Sequence, residues 1–360
     1  MTTTTHLTIS TSPPTPAAGC DCGVCPFFID NPEAIEPICS GCNTDCSYCG
    51  CARSLSGHPG ACDQCPIRCG SRTDIAAWMA DIGGTLRFDD FDFDDLTLPT
   101  GLPRFIPQVD TTDLGELDTD LRWPAYAVRL RSVLSPVTHT IVPGFTATTA
   151  GQALGLADNQ LAVLAGYAED PLVEAFWSNR FALTDQIADQ GWDLVLAPNF
   201  SMYGNFPRAE HLINFRRNLL IARDMIDAGI PAVPNLYWFR LEDLERYEEL
   251  LVQVTPAAVA VNLQTFRTDR DWDTMAIPGL TYLASGFPTE TTLIVTGTSR
   301  ASRIFQLRSL FPCMVLVAQN PTIYARKHAV MTTRGREARP EATVGECFAE
   351  TVRFYAEVMS

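Results

Sequence analysis

Three consecutive pieces decide the fold class: "DLVLAPNFSMYGN", Asp193 to Asn205; "PRAEHLINFRRNLLIARDMIDAG", Pro207 to Gly229; and "IPAVPNLYW", Ile230 to Trp238. The first opens with a continuous apolar run, as a strand buried on both faces does. The second begins at Pro207 and stops at Gly229, the punctuation of an amphipathic helix. The third is apolar again. Strand, helix, strand in this order is one crossover of a parallel sheet.

The same alternation runs from about residue 104 onward. The strand candidates are "RFIPQV", "AYAVRL", "LAVLAGY", "DLVLAPNF", "IPAVPNLYW", "AAVAVNL", "TTLIVTG" and "CMVLVAQN". Helical patterns such as "RLEDLERYEELLVQV" lie between them. Eight strands in roughly 230 residues predict an α/β protein, a (β/α)8-like barrel of the TIM type with room for irregular crossovers. A doubly wound open sheet is the second choice, but no G-x-G-x-x-G follows the first strand.

Upstream the composition differs. Residues 1–19 are rich in Thr, Ser and Pro and read as a disordered tail without the basic start or apolar stretch of a secretory signal. Residues 20–70 hold eleven of the thirteen cysteines. Residues 71–103 read as a short helix, capped by Ser71 or Thr73 and stopped by Gly83, and then an acidic extended linker, "FDDFDFDDLTLPTGLP". The barrel then covers 104–330, and 331–360 a basic loop and a helix. No apolar run reaches the length of a membrane span. The expected location is cytoplasmic.

The 360 residues carry a net charge of −16, which opposes non-specific nucleic-acid binding over the whole surface. Lys327 is the sole lysine. Between Arg300 and Arg339 there are seven arginines and one lysine against Glu337 alone, so a local nucleic-acid contact near the C-terminus stays open.

The cysteines fall into three groups: Cys20, Cys22 and Cys25; Cys39, Cys42, Cys46, Cys49 and Cys51; Cys62, Cys65 and Cys69. In a reducing compartment such density points to metal rather than disulfides. Short spacings let thiolates converge on one centre, and four-sulfur sites suit zinc and iron–sulfur clusters. His58 is a candidate twelfth ligand that would complete three closed zinc sites. Cys313 and Cys347 stand apart and read as small buried hydrophobes.

"CNTDCSYC" resembles the signature of radical S-adenosylmethionine enzymes. The resemblance implies that Cys42, Cys46 and Cys49 hold a 4Fe–4S cluster whose open iron binds S-adenosylmethionine. Gly83 and Gly84 stand where that family carries a glycine-rich motif.

Function in a barrel or an open α/β sheet sits at the C-terminal ends of the strands. Those ends carry Asn199, Ser201 and Tyr203; Asn235, Tyr237 and Trp238; Asn262, Gln264 and Thr265; Thr296, Thr298, Ser299 and Arg300; Gln319 and Asn320; and Glu169 with Asp170. Amides offer donor and acceptor together and aromatics a flat face, so a nucleobase-like or nucleotide substrate is expected. The turn "TGTSRASRIF" reads as an anion site with Arg300 and Arg303 beside it. Asp170 and Glu169 are the first candidates for general base, with Tyr203, His139 and His328 behind them. No G-x-S-x-G, H-E-x-x-H or Walker loop is present.

The segment from Asp193 to Trp238 also resembles an uncharacterised family of bacterial and phage barrel-like proteins, which share P-N/D-x-S at a strand end and G-I-x-x-V/I-P-N-x-x-W after a helix. The resemblance implies a bacterial, plasmid or phage origin, and groups Asn199, Ser201, Asn235 and Trp238 in one site. The readings combine into a metal-cluster enzyme, iron–sulfur favoured over zinc, with a barrel active site and radical modification as its sharpest form. The alternative, from another class, is a zinc-binding recognition or structural protein with a non-catalytic barrel.

Overall fold

The computed structural model describes residues 22–41, 67–70, 72, 74–110, 114–117, 121–204 and 206–360. All eight candidate segments contain strands: β1 (Phe105–Pro107), β2 (Ala125–Arg129), β3 (Leu161–Ala165), β4 (Leu194–Leu196), β5 (Ala232–Val233) with β6 (Asn235–Leu236), and β7 (Ala258–Asn262), β8 (Thr292–Thr296) and β9 (Met314–Ala318). Every pairing among them is parallel, in the orders β2-β3-β4-β5 and β6-β7-β8-β9-β1.

Pro234 separates β5 from β6. It has no N–H to give a ladder, but its carbonyl accepts from Ala260 N at 2.8 Å, so this one strand position pairs with β4 below and β7 above. On the other side a parallel bridge joins Gln108 to Ala127, and Val109 N donates to Ala127 O at 2.7 Å. The pairings therefore close an α/β barrel of eight strand positions. The strands are buried nearly end to end, which is why their sequences read as continuous apolar runs rather than alternating ones.

The later crossovers are regular helices: Arg208–Asp227, Leu241–Val254, Ile277–Gly286 and Ala301–Leu310. The first two are irregular. Only the one-turn helix Leu114–Leu117 is described between β1 and β2, and Leu130–Val133, a turn and Ala150–Leu154 lie between β2 and β3. The sequence there is rich in Pro, Thr and Gly, which break helices. After β9 come a hairpin, β10 (Ala329–Thr332) with β11 (Gly335–Ala338), and the helix Val344–Met359. A capping box between Thr343 and Glu346 starts that helix, and Tyr355 stacks on Phe105 of β1 at 5.0 Å. The arginines of this region face carboxylates: Arg334 meets Glu337 at 2.9 Å and Arg339 meets Glu350 at 3.4 Å.

The chain divides into two compact units. One, Phe91–Asn199 with Ile221–Ser360, contains the barrel. The other joins Ser10–Asp90 to Phe200–Leu220, so it unites the cysteine-bearing segment with the first half of the helix Arg208–Asp227.

That helix half corrects the amphipathic reading. From Arg208 through Ala222 every residue is buried, including Arg208, Glu210, His211, Asn214, Arg216, Arg217 and Asn218. Burial of so many polar groups is tolerable only when they are paired. Glu210 accepts from Arg68 N at 2.5 Å and Arg68 Nη1 at 2.8 Å. Arg216 donates to Ile82 O at 2.7 Å, to both oxygens of Asp90 at 2.7 and 2.5 Å, and to Arg87 O. The Arg217 guanidinium lies 3.8 Å from the Phe200 ring centroid, and Arg68 lies 4.1 Å from that of Trp78.

Two local expectations change. The helix Ile75–Asp81 has Asp74 at its N-cap, and the Asp74 carboxylate turns to Arg72 instead of capping; Ser71 and Thr73 lie outside the described residues. The acidic segment is no plain linker: Phe88, Phe91, Phe93 and Leu96 are buried while Asp89, Asp92, Asp94 and Asp95 face solvent. Among the described residues no helix is long and apolar enough to cross a membrane.

Candidate functional site

The centre of the barrel mouth is built from alternate strand positions. Beyond β3 stands Gly166, where an added Cβ would meet Pro198 N at 2.6 Å, so β3 and the end of β4 approach too closely for a side chain. The next residue, Tyr167, reaches past β4 and donates its hydroxyl to Asn235 Oδ1 on β6 at 2.6 Å. Asn235 is 1% exposed, and its Nδ2 donates to Ala197 O at 2.6 Å. Thr296, the last residue of β8, is buried, and its hydroxyl acts on the Tyr167 oxygen as a hydrogen-bond donor. Burial pushes the Tyr167 phenol far above its ordinary range, and the nearby Thr296 hydroxyl only partly offsets this. Tyr167 therefore remains a hydrogen-bond donor at any physiological pH. Side chains from alternate strands meeting in one layer are what a closed barrel interior produces.

Two further polar groups flank this centre. Asn262 Oδ1 accepts from Gln264 N at 3.0 Å, and Gly297, at φ 77°, leaves no room for a Cβ against that oxygen, 2.6 Å away. Asn320 Nδ2 donates to Ser299 Oγ at 2.9 Å and to the Tyr324 hydroxyl at 3.0 Å, and Tyr355 donates to Ser299 O at 3.1 Å. Gln319 is the N-cap of the helix Asn320–Ala325 and makes no side-chain capping bond. Gln264 is exposed at the rim, and Asn199 is half-buried at the end of β4.

The charged candidates are differently placed. Glu169 is the N-cap of the helix Asp170–Ser178, exposed and ion-paired with Arg131. Its own backbone N–H, and then Arg131, hold its carboxyl below the usual range, the opposite of what a general base near neutral pH needs. Asp170 opens that helix. Asp110, beyond β1, meets Arg129 of β2 at 3.2 Å. Tyr203 belongs to the cysteine-bearing unit; it is 46% exposed and packs on Phe206, and its carbonyl meets His211 Nε2 at 2.7 Å. His139 and His328 occupy left-handed turns, and His328 Nδ1 meets Ala342 O at 2.9 Å.

At the expected anion turn, Thr298 is buried, and the arginines are already engaged. Arg300 and Arg303 meet Asp269 at 2.6 and 2.9 Å, and Arg303 also donates to Phe266 O at 2.8 Å and Thr268 O at 3.1 Å over the Trp272 ring. Trp238 is core. It is 1% exposed, its Nε1 donates to Met275 O at 3.3 Å, and Gly279 sits against its indole. Ser201 lies in the cysteine-bearing unit, where its carbonyl accepts from Asn214. Of the four residues grouped by sequence, Asn235 alone joins the polar layer. Sequence reasoning missed Tyr167, Asp110 and Arg129; each stands at a strand end in "LAGYAEDP", "FIPQVD" and "AYAVRL", and position was the only signal available.

In the other unit, Cys22–Val24 forms a tight 3-10 turn, and Cys25 N donates to Cys22 O at 3.0 Å. Burial, helped by the neighbouring Cys22, raises the Cys25 thiol. Gly41 N donates to Cys39 Sγ at 3.4 Å. An added Cβ at Gly70, next to Cys69, would come 2.7 Å from Cys25 Sγ, so the first and third cysteine groups are neighbours. Cys20, Cys42, Cys46, Cys49, Cys51, Cys62, Cys65 and His58 lie outside the described residues. Among the described residues no three potential ligands converge in metal-binding geometry. Cys347 is buried as expected, but Cys313 is exposed because it falls in the turn before β9.

No family model matches the sequence, and no curated protein does. Among solved structures, the chain is similar to one described as native KDPGal, with 14% identity and a TM-score of 0.40 over 73% of this chain and 98% of that one. It is also similar to a cube-shaped, highly porous cage designed by fusing symmetric oligomeric domains, with 12% identity and a TM-score of 0.40 over 72% of this chain and 74% of that one. The assignment of a barrel rests on the strand pairing itself.

Proposed function

We propose that this chain is a metal-cluster enzyme, iron–sulfur favoured over zinc, whose barrel mouth binds a nucleobase-like or nucleotide substrate. The observation that carries the substrate reading is the neutral layer of Tyr167, Asn235 and Thr296, which is built from hydroxyl and amide groups without a net charge. Such a layer suits a flat heterocycle that carries both kinds of group on its edge. The sole lysine, Lys327, lies in the turn after Asn320–Ala325, so no strand end offers a lysine for imine chemistry.

The metal reading is supported by donor chemistry. The Cys22–Cys25 turn brings two sulfurs near each other, the N–H donated to Cys39 Sγ suits a thiolate, and the glycine leaves room against Cys25 Sγ. Cys22, Cys25, Cys39 and Cys69 would hold such a group together with Cys20, Cys42, Cys46, Cys49, Cys51, Cys62 and Cys65. An iron–sulfur cluster, when bound, supplies one-electron chemistry, and with S-adenosylmethionine it supplies a radical; zinc would supply a structural tie. This chain's own part is to hold the sulfurs and, at the mouth, to orient the heterocycle through Tyr167 and Asn235.

The test is oxygen-free purification with an absorption spectrum and iron, sulfide and zinc contents. A broad band near roughly 400 nm that bleaches on reduction, with iron and sulfide in equal amounts, is the expected result. A colourless protein carrying two or three zinc ions overturns the iron–sulfur reading and favours the zinc alternative.

A further inference from the structure

The barrel carries a polar cavity away from its mouth. A space of about 320 Å³ opens between the irregular β2–β3 crossover and the end of the helix Arg180–Asp189, and Phe145, Gln152, Gln186, Asp189 and Gln190 are among the residues that line it. That volume lies within the range of roughly 300–1,000 Å³ for small-molecule sites. Gln190 shortly precedes β4, so the cavity sits toward the N-terminal ends of the strands. The crossover wall, from Leu134 to Thr149, has the 3-10 turn Pro143–Phe145 as its regular element. It is longer than a link between neighbouring strands needs, and long excursions of this kind on a rigid scaffold are where binding residues concentrate.

Gln190 is 2% exposed, and the Trp192 indole N–H donates to its Oε1 at 2.7 Å. An indole nitrogen can only donate, so the orientation of the amide is fixed and Nε2 is the group left over. That Nε2 is buried and has no partner within the protein, although buried polar groups are nearly always satisfied. The Gln190 carbonyl accepts from Ala150 N at 2.7 Å, which ties the residue to the crossover. Neighbouring amides are half-used in the same way. Gln152 Oε1 accepts from Thr149 N at 3.2 Å and leaves its Nε2 to donate. Gln186 Nε2 donates to Ala182 O at 2.9 Å and leaves its Oε1 to accept. Asp189 is the one charged side chain among the described lining residues.

We propose that this cavity binds an uncharged sugar or polyol. A hydroxyl both donates and accepts, so a set of neighbouring hydroxyls can take the amide protons of Gln152 and Gln190 and give their own to Gln186 Oε1 and the Asp189 carboxylate. Phe145 and Ile141, 3% and 6% exposed, supply an apolar wall for the C–H side of the ring. With Asp189 present and no arginine or lysine among the described lining residues, a phosphate or carboxylate would be repelled. The proposal is independent of the reading of the mouth.

The experiment uses the full chain and saturation-transfer NMR titrations with D-glucose, myo-inositol and D-glucuronate, together with the thermal midpoints of wild type, Gln186→Leu, Asp189→Asn and Gln190→Met. Wild type is expected to bind glucose or inositol, and to bind glucuronate at least about tenfold more weakly because its carboxylate meets Asp189. Gln186 and Asp189 are exposed, so their variants should keep the wild-type midpoint. Gln186→Leu should lose roughly threefold to tenfold in affinity for the neutral probe, and Asp189→Asn should narrow the gap between glucose and glucuronate. Gln190→Met also deprives Trp192 of its acceptor, so a lower midpoint is expected along with about a tenfold loss of binding. Absence of glucose and inositol binding by wild type overturns the proposal and leaves ordered water as the partner of Gln190. Equal affinity of wild type and Gln186→Leu overturns it, because the probe then binds elsewhere. Glucuronate binding as tight as that of glucose overturns the uncharged class. None of these outcomes bears on the metal-cluster reading, which rests on the metal contents.

Discussion

Gly279→Ala is the substitution whose outcome follows most directly from the packing. Gly279 lies in the first turn of Ile277–Gly286, and an added Cβ would stand 2.5 Å from Trp238 Cε2 and closer still to Nε1. In an open helix the change would stabilise by up to about 1 kcal/mol, since alanine is the better helix former. Here the extra carbon must push the indole or the helix, at a cost of roughly 1–3 kcal/mol for overpacking. Displacing the indole also strains its bond to Met275 O, worth about 0.5–1.5 kcal/mol. Packing wins, and the net loss is about 1–3 kcal/mol. At roughly 2–4 °C per kcal/mol for a domain of this size, the melting point should fall by about 2–12 °C. The assay is thermal unfolding of wild type, Gly279→Ala, Trp238→Phe and the double variant. The smaller phenyl ring should absorb the methyl, giving a coupling of about 1 kcal/mol or more. A neutral or stabilising Gly279→Ala, or strictly additive effects, would refute the placement of Trp238 in the core.

Other predictions follow from single contacts. Arg216→Lys should destabilise by on the order of 3 kcal/mol, because lysine cannot reproduce a fork that serves Asp90 and two carbonyls, and limited proteolysis should show new cleavage before residue 91; unchanged resistance would refute this. Glu169 has a lowered folded pKa, so its stabilisation is present above its ordinary value of 4.5 and is lost as pH falls through the folded value. The stability gap between wild type and Glu169→Gln should thus be small at pH 7 and close in acid, and a gap that widens in acid contradicts the assignment. Tyr282 donates to Glu248 at 2.7 Å, which pushes its ionisation up to about 12. That pair stabilises fully below pH 10 and less as pH rises toward 12; Glu248→Gln should return the ultraviolet titration of Tyr282 toward 10.0, and no movement would count against the contact. Cys25→Ser should lower the bound metal per chain while the barrel's melting transition persists, and an unchanged metal content removes Cys25 from the ligands.

The barrel was legible because strands buried on both faces must be apolar throughout, and "LAVLA" or "MVLVA" has no other easy reading in a chain of this kind. Pro234 within "AVPNL" was harder: it splits the strand, and only the pairing of Ala260 N with its carbonyl shows that the ring continues. The site was legible by position but not by partner. Asn235 stands at a strand end, yet nothing local says that it meets Tyr167, 68 residues earlier. Trp238 looks like an exposed stacking surface until Gly279 is packed against it. The arginines of "NFRRN" look solvated because periodicity cannot reveal a second layer of chain that covers them; Arg68, Trp78 and Asp90 provide that layer.

The discontinuous make-up of the cysteine-bearing unit has a kinetic consequence during synthesis. Its two segments, Ser10–Asp90 and Phe200–Leu220, are separated by about 110 residues of chain. At roughly 5–20 residues per second, a ribosome needs about 5 to 22 s to travel that distance. For that interval Arg68 has no Glu210, and Asp90 has no Arg216. The cysteines therefore leave the ribosome well before the helix that completes their unit, in a window when chaperones, metal carriers and oxidants compete for the thiols.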